Sequence, residues 1–273
     1  MMSKNGRNPK RSVSLGYLRG QVLFLGALLI ACEENKESGA SATEITLSTP
    51  VSEDAGRDLF MEGRPSDQSV ADQGTPLSMR IRLINPATSG PFAGVRAEAE
   101  GEESESDASG VATLTISSGP YVVTLDAPGA RTHRLFGHAG EVDFEQISYL
   151  SPDMITTYVF RSLGIADNSS QGILVVGLDL PSLAPAVGAR AALDVESEEG
   201  FIFAGSRPAF GTEIPEGGQG FVTFPGVPPG RRLVRAELPG GTCTLFPAGE
   251  GSEAEVEVRA GEVSILTFTC QTE

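Results

Sequence analysis

Any chemistry in this chain has to be assembled from few reactive side chains. There are two histidines, His133 and His138, three cysteines, Cys32, Cys243 and Cys270, and no tryptophan. The histidines stand in His133-Arg134-Leu135-Phe136-Gly137-His138, with Glu141 and Asp143 nearby. Imidazoles and carboxylates together suit a zinc ion, and a hydrolytic triad would have to recruit one of these two rings. The competing reading makes both of them exposed polar residues of a turn. A second cluster, Glu98-Ala99-Glu100-Gly101-Glu102-Glu103-Ser104-Glu105-Ser106-Asp107, gathers six carboxylates. Hard cations take several oxygens, so a weak calcium loop is one reading and a solvated acidic loop the other. The spacing is not that of an EF-hand. Gly-x-Ser-x-Gly, His-Glu-x-x-His, P-loop and Cys-x-x-Cys motifs are absent from the sequence. Lys36 is the last lysine, which removes Schiff-base and P-loop chemistry from everything after it.

The segment before Cys32 reads as an address. Residues 1–20 are basic and polar, and Gln21 to Ala31 form an apolar run of eleven. A membrane span needs about 20 residues, so so short a run suits the core of a signal peptide. Leu29-Ile30-Ala31-Cys32 resembles the lipobox of bacterial lipoproteins: a branched apolar residue, small or apolar residues, then the modified cysteine. That resemblance implies a signal peptide over 1–31, a diacylglycerol on the Cys32 thiol, cleavage before Cys32 and a further acyl chain on the freed amine. Such an anchor holds because each buried methylene contributes about 0.8 kcal/mol. The alternative is an ordinary secretory cleavage site with a free or buried Cys32. Glu33 follows the cysteine rather than the aspartate of an inner-membrane retention signal, which favours the outer membrane. Lys10-Arg11 is not a twin-arginine pair, which favours general secretion.

From residue 32 to residue 76 the chain is rich in Ser, Glu, Asp and Gly and shows no sustained period of 2 or 3.6. Too little apolar surface is available to offset the entropy of ordering, so a disordered acidic linker is expected, with Leu59-Phe60-Met61 its one apolar knot.

After Pro76 the period becomes 2, the mark of half-buried strands. Leu77, Met79, Ile81 and Leu83 alternate with Ser78, Arg80 and Arg82. Val95, Ala97 and Ala99, then Ala112, Leu114 and Ile116, then Tyr121, Val123 and Leu125 follow, and runs at 141–150 and 155–163 complete a first unit. A second series of strands is expected at 173–180, 189–196, 200–204, 220–224, 231–238, 242–246, 254–259 and 262–270, the last two forming a C-terminal hairpin. The two series repeat one another. Gly94-Val95, Gly110 to Leu114, Gly119-Pro120-Tyr121 and Ala127-Pro128-Gly129 are followed in the same order by Gly188-Ala189, Gly220 to Phe224, Gly230-Arg231-Arg232 and Leu238-Pro239-Gly240. The spacing suggests related hairpins, and an insertion between Ser197 and Gly217 lengthens the second unit.

At these residues the chain resembles the carboxypeptidase-regulatory-like, or transthyretin-like, domains of bacterial surface proteins. Asp107-Ala108-Ser109-Gly110 with Gly119-Pro120-Tyr121 carries the pattern once, and Gly220 to Phe224 with Val227-Pro228-Pro229-Gly230 carries it again. Arg231-Arg232 departs from it where an aromatic residue is usual. The resemblance implies an all-β chain of two Ig-like or transthyretin-like β-sandwich domains, at 77–168 and 169–273. The enzymatic branch of that fold, the hydroxyisourate hydrolases, ends in Tyr-Arg-Gly-Ser, whereas Cys270-Gln271-Thr272-Glu273 stands here, so that activity is not expected. Cys243 and Cys270 both fall in expected strands. With Cys32 occupied by lipid in an exported chain, the even pair reads as a disulfide contributing about 3 to 4 kcal/mol, and two free thiols are the alternative.

The formal charge is −16, and the five basic residues before Cys32 hide more acidity. Without them 15 basic residues face 36 acidic ones, giving −21. Such a surface repels phosphate backbones, so nucleic acid is not an expected partner. Sugar platforms want exposed aromatics, and beyond Cys32 the tyrosines are Tyr121, Tyr149 and Tyr158, the first expected in the core. Phe201, Phe203, Phe221 and Phe224 read as core, while Phe210 at a loop tip is a contact candidate. The expectation is therefore a membrane-anchored, non-enzymatic structural or binding module of the cell envelope, without cofactor or metal, facing a protein or polysaccharide partner. The alternative is a metal-dependent or hydrolytic envelope enzyme using His133 and His138.

Overall fold

Alternation in the first described strand sets the logic of the whole molecule. In β1 (Pro76–Asn85), Leu77, Met79, Ile81 and Leu83 are buried while Arg80 is exposed and Ser78 and Arg82 are half-buried, as a two-residue period on a one-sided sheet demands. A computed structural model describes residues 75–272 apart from 86, 87, 89, 196–198 and 206. Cys32, the expected signal peptide and the expected linker up to residue 74 lie outside the described residues.

The chain continues through β2 (Gly90–Pro91), β3 (Arg96–Ala99), β4 (Glu102–Glu105), β5 (Val111–Ser117), β6 (Gly119–Asp126), β7 (His133–Ala139) and β8 (Phe144–Tyr149). Helix α1 (Asp153–Leu163) connects to a second series. This runs β9 (Gly172–Asp179), β10 (Arg190–Leu193), β11 (Phe201–Ala204), β12 (Arg207–Phe210), β13 (Gly218–Val227), β14 (Gly230–Glu237), β15 (Gly241–Leu245), β16 (Glu253–Val258) and β17 (Val263–Thr272). The class is all-β with one short helix. The expected boundary at 168/169 falls in the connector between α1 and β9, and the described residues belong to one compact unit.

The repeat seen in the sequence is a repeat of topology. In the first series β1 is flanked by β5 antiparallel and β8 parallel, and the facing sheet runs β3-β6-β7, all antiparallel. In the second series β9 is flanked by β13 antiparallel and β17 parallel, and the facing sheet runs β10-β14-β16, again antiparallel. Strand for strand, β7 corresponds to β16 and β8 to β17. The two sandwiches are joined edge to edge, because β17 pairs in parallel with β7, Val263 to Leu266 lying opposite His133 to Phe136. The fused sheet has ten strands and is covered on one side by the four-stranded sheet of β1 and on the other by the three-stranded sheet of β14.

Burial follows from that arrangement. Central strands of the fused sheet serve two cores, one on each face. Val263 and Ile265 of β17 and Ile173 of β9 enter the first core, and Leu266, Phe268 and Cys270 of β17 with Leu174, Val176 and Leu178 of β9 enter the second. Leu135 and Phe136 of β7 divide in the same way. This explains why Val263 to Leu266 are all buried: a strand covered on both faces reads as a continuous apolar run rather than an alternation.

Three expectations are corrected. The repeated pairs β5–β6 and β13–β14 are not hairpins, since the members of each pair lie in different sheets and the turn carries the chain across the sandwich. Gly119 and Gly230 perform the crossing with φ of 115° and 121°, a backbone region that favours glycine, so the matched positions share one local geometry. Gly220, by contrast, is no counterpart of Gly110 in conformation: Gly110 has φ of 76°, whereas the positive value in the second series falls three residues earlier at Gly217, with φ of 70°. Likewise β16 and β17 form a crossing and not a C-terminal hairpin. Alternation reports which face is buried; strands on facing sheets bury faces toward one core just as hairpin partners do. Finally, 155–163 is helical rather than extended. The β-branched residues there favour a strand, yet Val159, Phe160 and Leu163 recur at helical spacing and pack on the first core. Pro152 and Asp153 open the helix, and Gly164 closes it.

Candidate functional site

The two histidines do not meet. Both lie on β7, an interior strand, rather than in an exposed turn, which the chain makes earlier at 127–132. His133 and His138 are five residues apart on a strand without irregularity, so their rings leave opposite faces from backbone positions about 16 Å apart. His133 is 2% exposed, with Nδ1 2.7 Å from the Arg131 carbonyl oxygen. Burial holds its pKa below the usual histidine value. His138 joins the neighbouring segment through its backbone, with its amide donating to the Phe246 carbonyl and its carbonyl accepting from the Ala248 amide. The pair therefore cannot share one ion or form one acid–base couple, and among the described residues no three His, Cys, Asp or Glu side chains converge as a metal would require.

The acidic stretch is a hairpin and not a loop. Glu100 and Gly101, with φ of 51° and 83°, make a two-residue turn between β3 and β4, Ala99 pairing with Glu102. Its carboxylates are directed at the neighbouring edge strand. Glu100 accepts from the Ser117 amide at 3.0 Å and hydroxyl at 2.9 Å, Glu102 accepts from the Thr115 amide, and the Ser104 hydroxyl accepts from the Thr113 amide at 3.4 Å. Asp107 completes the row by accepting from the Val111 amide at 3.0 Å. The Ser109 hydroxyl and the Val111 amide hold the Asp107 carboxyl below its ordinary range. Glu98 and Glu103 pair with Arg96. The outward amides of β5 at positions 111, 113, 115 and 117 are thus satisfied by side chains where another strand would otherwise add.

Cys243 and Cys270 sit directly opposite one another on β15 and β17 and form a buried disulfide with S–S 2.04 Å. Phe160, Phe201, Phe203 and Phe221 make a chain of ring contacts with centroids 5.8 to 6.2 Å apart. Phe210 is exposed on the edge strand β12 rather than at a loop tip. Tyr121 is buried and donates to Gln146 Oε1 at 2.7 Å, whereas Tyr149 and Tyr158 are exposed. At the end of β9, burial pushes the Asp179 carboxyl up to about 7.

A feature that composition did not disclose is a groove of about 450 Å³ between β16 and the outward face of β6 and β7. Val122, Phe136 and Leu245 give it an apolar floor, and His138, Glu250 and Glu255 are among its polar walls. One end is closed where Arg134, lying over the Phe136 ring at 5.1 Å, reaches Glu257 at 2.8 Å. The alternation of Glu253 to Val258 reveals the faces of β16 but not that its edge is free.

No family model matches the sequence, and no curated protein is similar to it. Among solved structures the chain is similar to the Bacillus anthracis TIE protein at 16% identity and a TM-score of 0.23, over 72% of this chain and 34% of that one. It is also similar to a minor pilin of Streptococcus agalactiae, at 12% identity and 0.27, over 72% and 96% of the two chains. The major pilin of Streptococcus pyogenes stands at 10% and 0.24, over 73% and 99%. The chain thus spans about a third of the TIE chain. At these scores the likenesses carry neither family nor activity, and the β-sandwich class rests on the strands described above.

Proposed function

We propose that this chain is a lipid-anchored protein of the bacterial cell envelope whose transthyretin-like sandwiches act as a non-enzymatic structural or binding element toward an envelope protein or polysaccharide. The division of the cysteines carries the reading. Two of the three are joined in a buried disulfide, a bond of oxidising compartments, and the third stands in Leu29-Ile30-Ala31-Cys32. Lipid on Cys32 would tether the acidic sandwiches to the membrane, the outer membrane by the identity of Glu33. Among the described residues no helix is long and apolar enough to cross a membrane. The histidine alternative has no supporting geometry.

Radiolabelled palmitate and detergent partitioning test the anchor. Wild type is expected to take up label and enter the detergent phase, and Cys32→Ser to remain unlabelled in the aqueous phase. A native polypeptide that mass spectrometry finds unacylated and still carrying residues 1–31 would overturn the proposal.

A further inference from the structure

The seam between the sandwiches has an unfilled counterpart. In the first repeat the outer edge of β7 is occupied by β17, running parallel to it. Among the described strands its equivalent in the second repeat, β16, is paired only with β14. With Gly119 matched to Gly230, the paired residues His133 to Phe136 of β7 correspond to Ser252 to Glu255 of the second repeat. Those residues line or adjoin the groove.

The chemistry of this edge specifies an occupant. The Ala236 amide donates to the Ser252 carbonyl at 2.8 Å, so antiparallel alternation turns even-numbered residues of β16 toward β14. The main-chain groups of Glu253 and Glu255 then point away, into the groove, at the spacing of a strand ladder. At Glu257 that outward carbonyl already accepts from the Ser264 hydroxyl at 3.0 Å, which closes the ladder at this end. A strand added here would lie over Val122 and Phe136 with one face and beside the row of Glu250, Glu253 and Glu255 with the other. In that row Arg235 holds Glu253 and Arg231 stands 4.0 Å from Glu255, both arginine–glutamate pairs being exposed. Val122 is 36% exposed, unusual for a valine in the middle of a sheet.

We infer that the free edge of β16 binds an extended polypeptide segment of a partner, parallel to β16, with apolar and basic residues in alternation. A second copy of this chain fits less well. The strand equivalent to β17 in the first repeat is β8, whose outward face carries Glu145, already paired with Arg80 and Arg82, where β17 carries Ile265. This inference names a partner class for the proposed binding role and does not depend on the lipid anchor, so a failure of the acylation test and a failure of this one remain distinguishable.

The test is a titration of the full chain, followed by amide NMR, with three capped seven-residue peptides: alternating Lys-Val, alternating Glu-Val, and Lys-Val with a central proline. The Lys-Val peptide is expected to shift the signals of Glu253, Glu255 and Val122 saturably and to slow amide exchange at Glu253 and Glu255. Val122→Lys removes the apolar floor, and Glu255→Pro removes an outward amide at a position where an edge strand tolerates proline. Each is expected to weaken binding at least about tenfold, the equivalent of one lost main-chain hydrogen bond or a comparable apolar contact. Equal binding of the acidic or proline-containing peptide would overturn the inference. So would shifts centred on β8 or β12, no saturable shift at millimolar peptide, or self-association through this edge.

Discussion

Asp179 ends β9 with its carboxyl withdrawn from water, and burial alone accounts for a pKa near 7 against 3.8 for the free side chain. A folded-state value above the unfolded one means that the native chain holds this proton more tightly. The associated stability is complete below about pH 4 and declines as pH rises toward 7, with a ceiling of roughly 4 kcal/mol for three units of difference. Asp179→Asn is expected to flatten that slope, so urea unfolding at pH 4.5 and pH 8 should show the variant losing less stability than wild type between the two. Parallel losses in both proteins would show that the carboxyl is hydrated in the native state. His133 works in the opposite direction. Its folded value is lowered by burial, so its contribution is complete above pH 6.5 and is lost as pH falls from there through the lower folded-state value. The two contributions oppose one another below pH 6.5, Asp179 losing stability as pH rises and His133 as it falls, so each offsets the other rather than setting an optimum.

The β3–β4 hairpin serves the strand beside it. Its side chains occupy the amides that an aggregating strand would seek on β5, and removing them should free that edge. Glu100→Ala with Glu102→Ala is expected to cost about 1 to 2 kcal/mol and to abolish exchange protection at Thr115 and Ser117. Sedimentation should show concentration-dependent association; unchanged exchange at both amides would mean that the contacts are incidental. This use of the carboxylates is hidden in the sequence because six acids in ten residues resemble a solvated loop. Strands such as Leu77 to Leu83 and Ala254 to Val258 are legible residue by residue because burial of one face leaves a two-residue period, whereas β7, buried on both faces and carrying His133, Arg134 and His138, reads as a turn. What the period omits is the identity of the neighbouring strand. Hence the sequence marks Gly119 and Gly230 as matched turns without showing that they cross between sheets. The β-branched residues of α1 concealed a helix whose Phe160 and Val159 are held by the core rather than by propensity. The groove beside β16 was invisible for the same reason: a free edge is a property of pairing, which requires knowing where every other strand has gone.

The two cores of the molecule are not separable. Within residues 75–168 the first core would lack Ile173, Phe201, Val263 and Ile265, and β7 would lose the strand on its outer edge. A chain cut after residue 168 is therefore expected to show no cooperative melting transition and to bind a hydrophobic dye, while the intact chain unfolds in one calorimetric step. Two well-resolved steps in the intact chain, with the first reproduced by the fragment, would show independent folding instead. Every other described strand precedes β17 in the sequence, yet β17 stands at the middle of the fused sheet between β9 and β7. A ribosome releases that keystone after all the pieces it locks. Until then both halves remain open, so neither core can close during synthesis before the last strand has emerged.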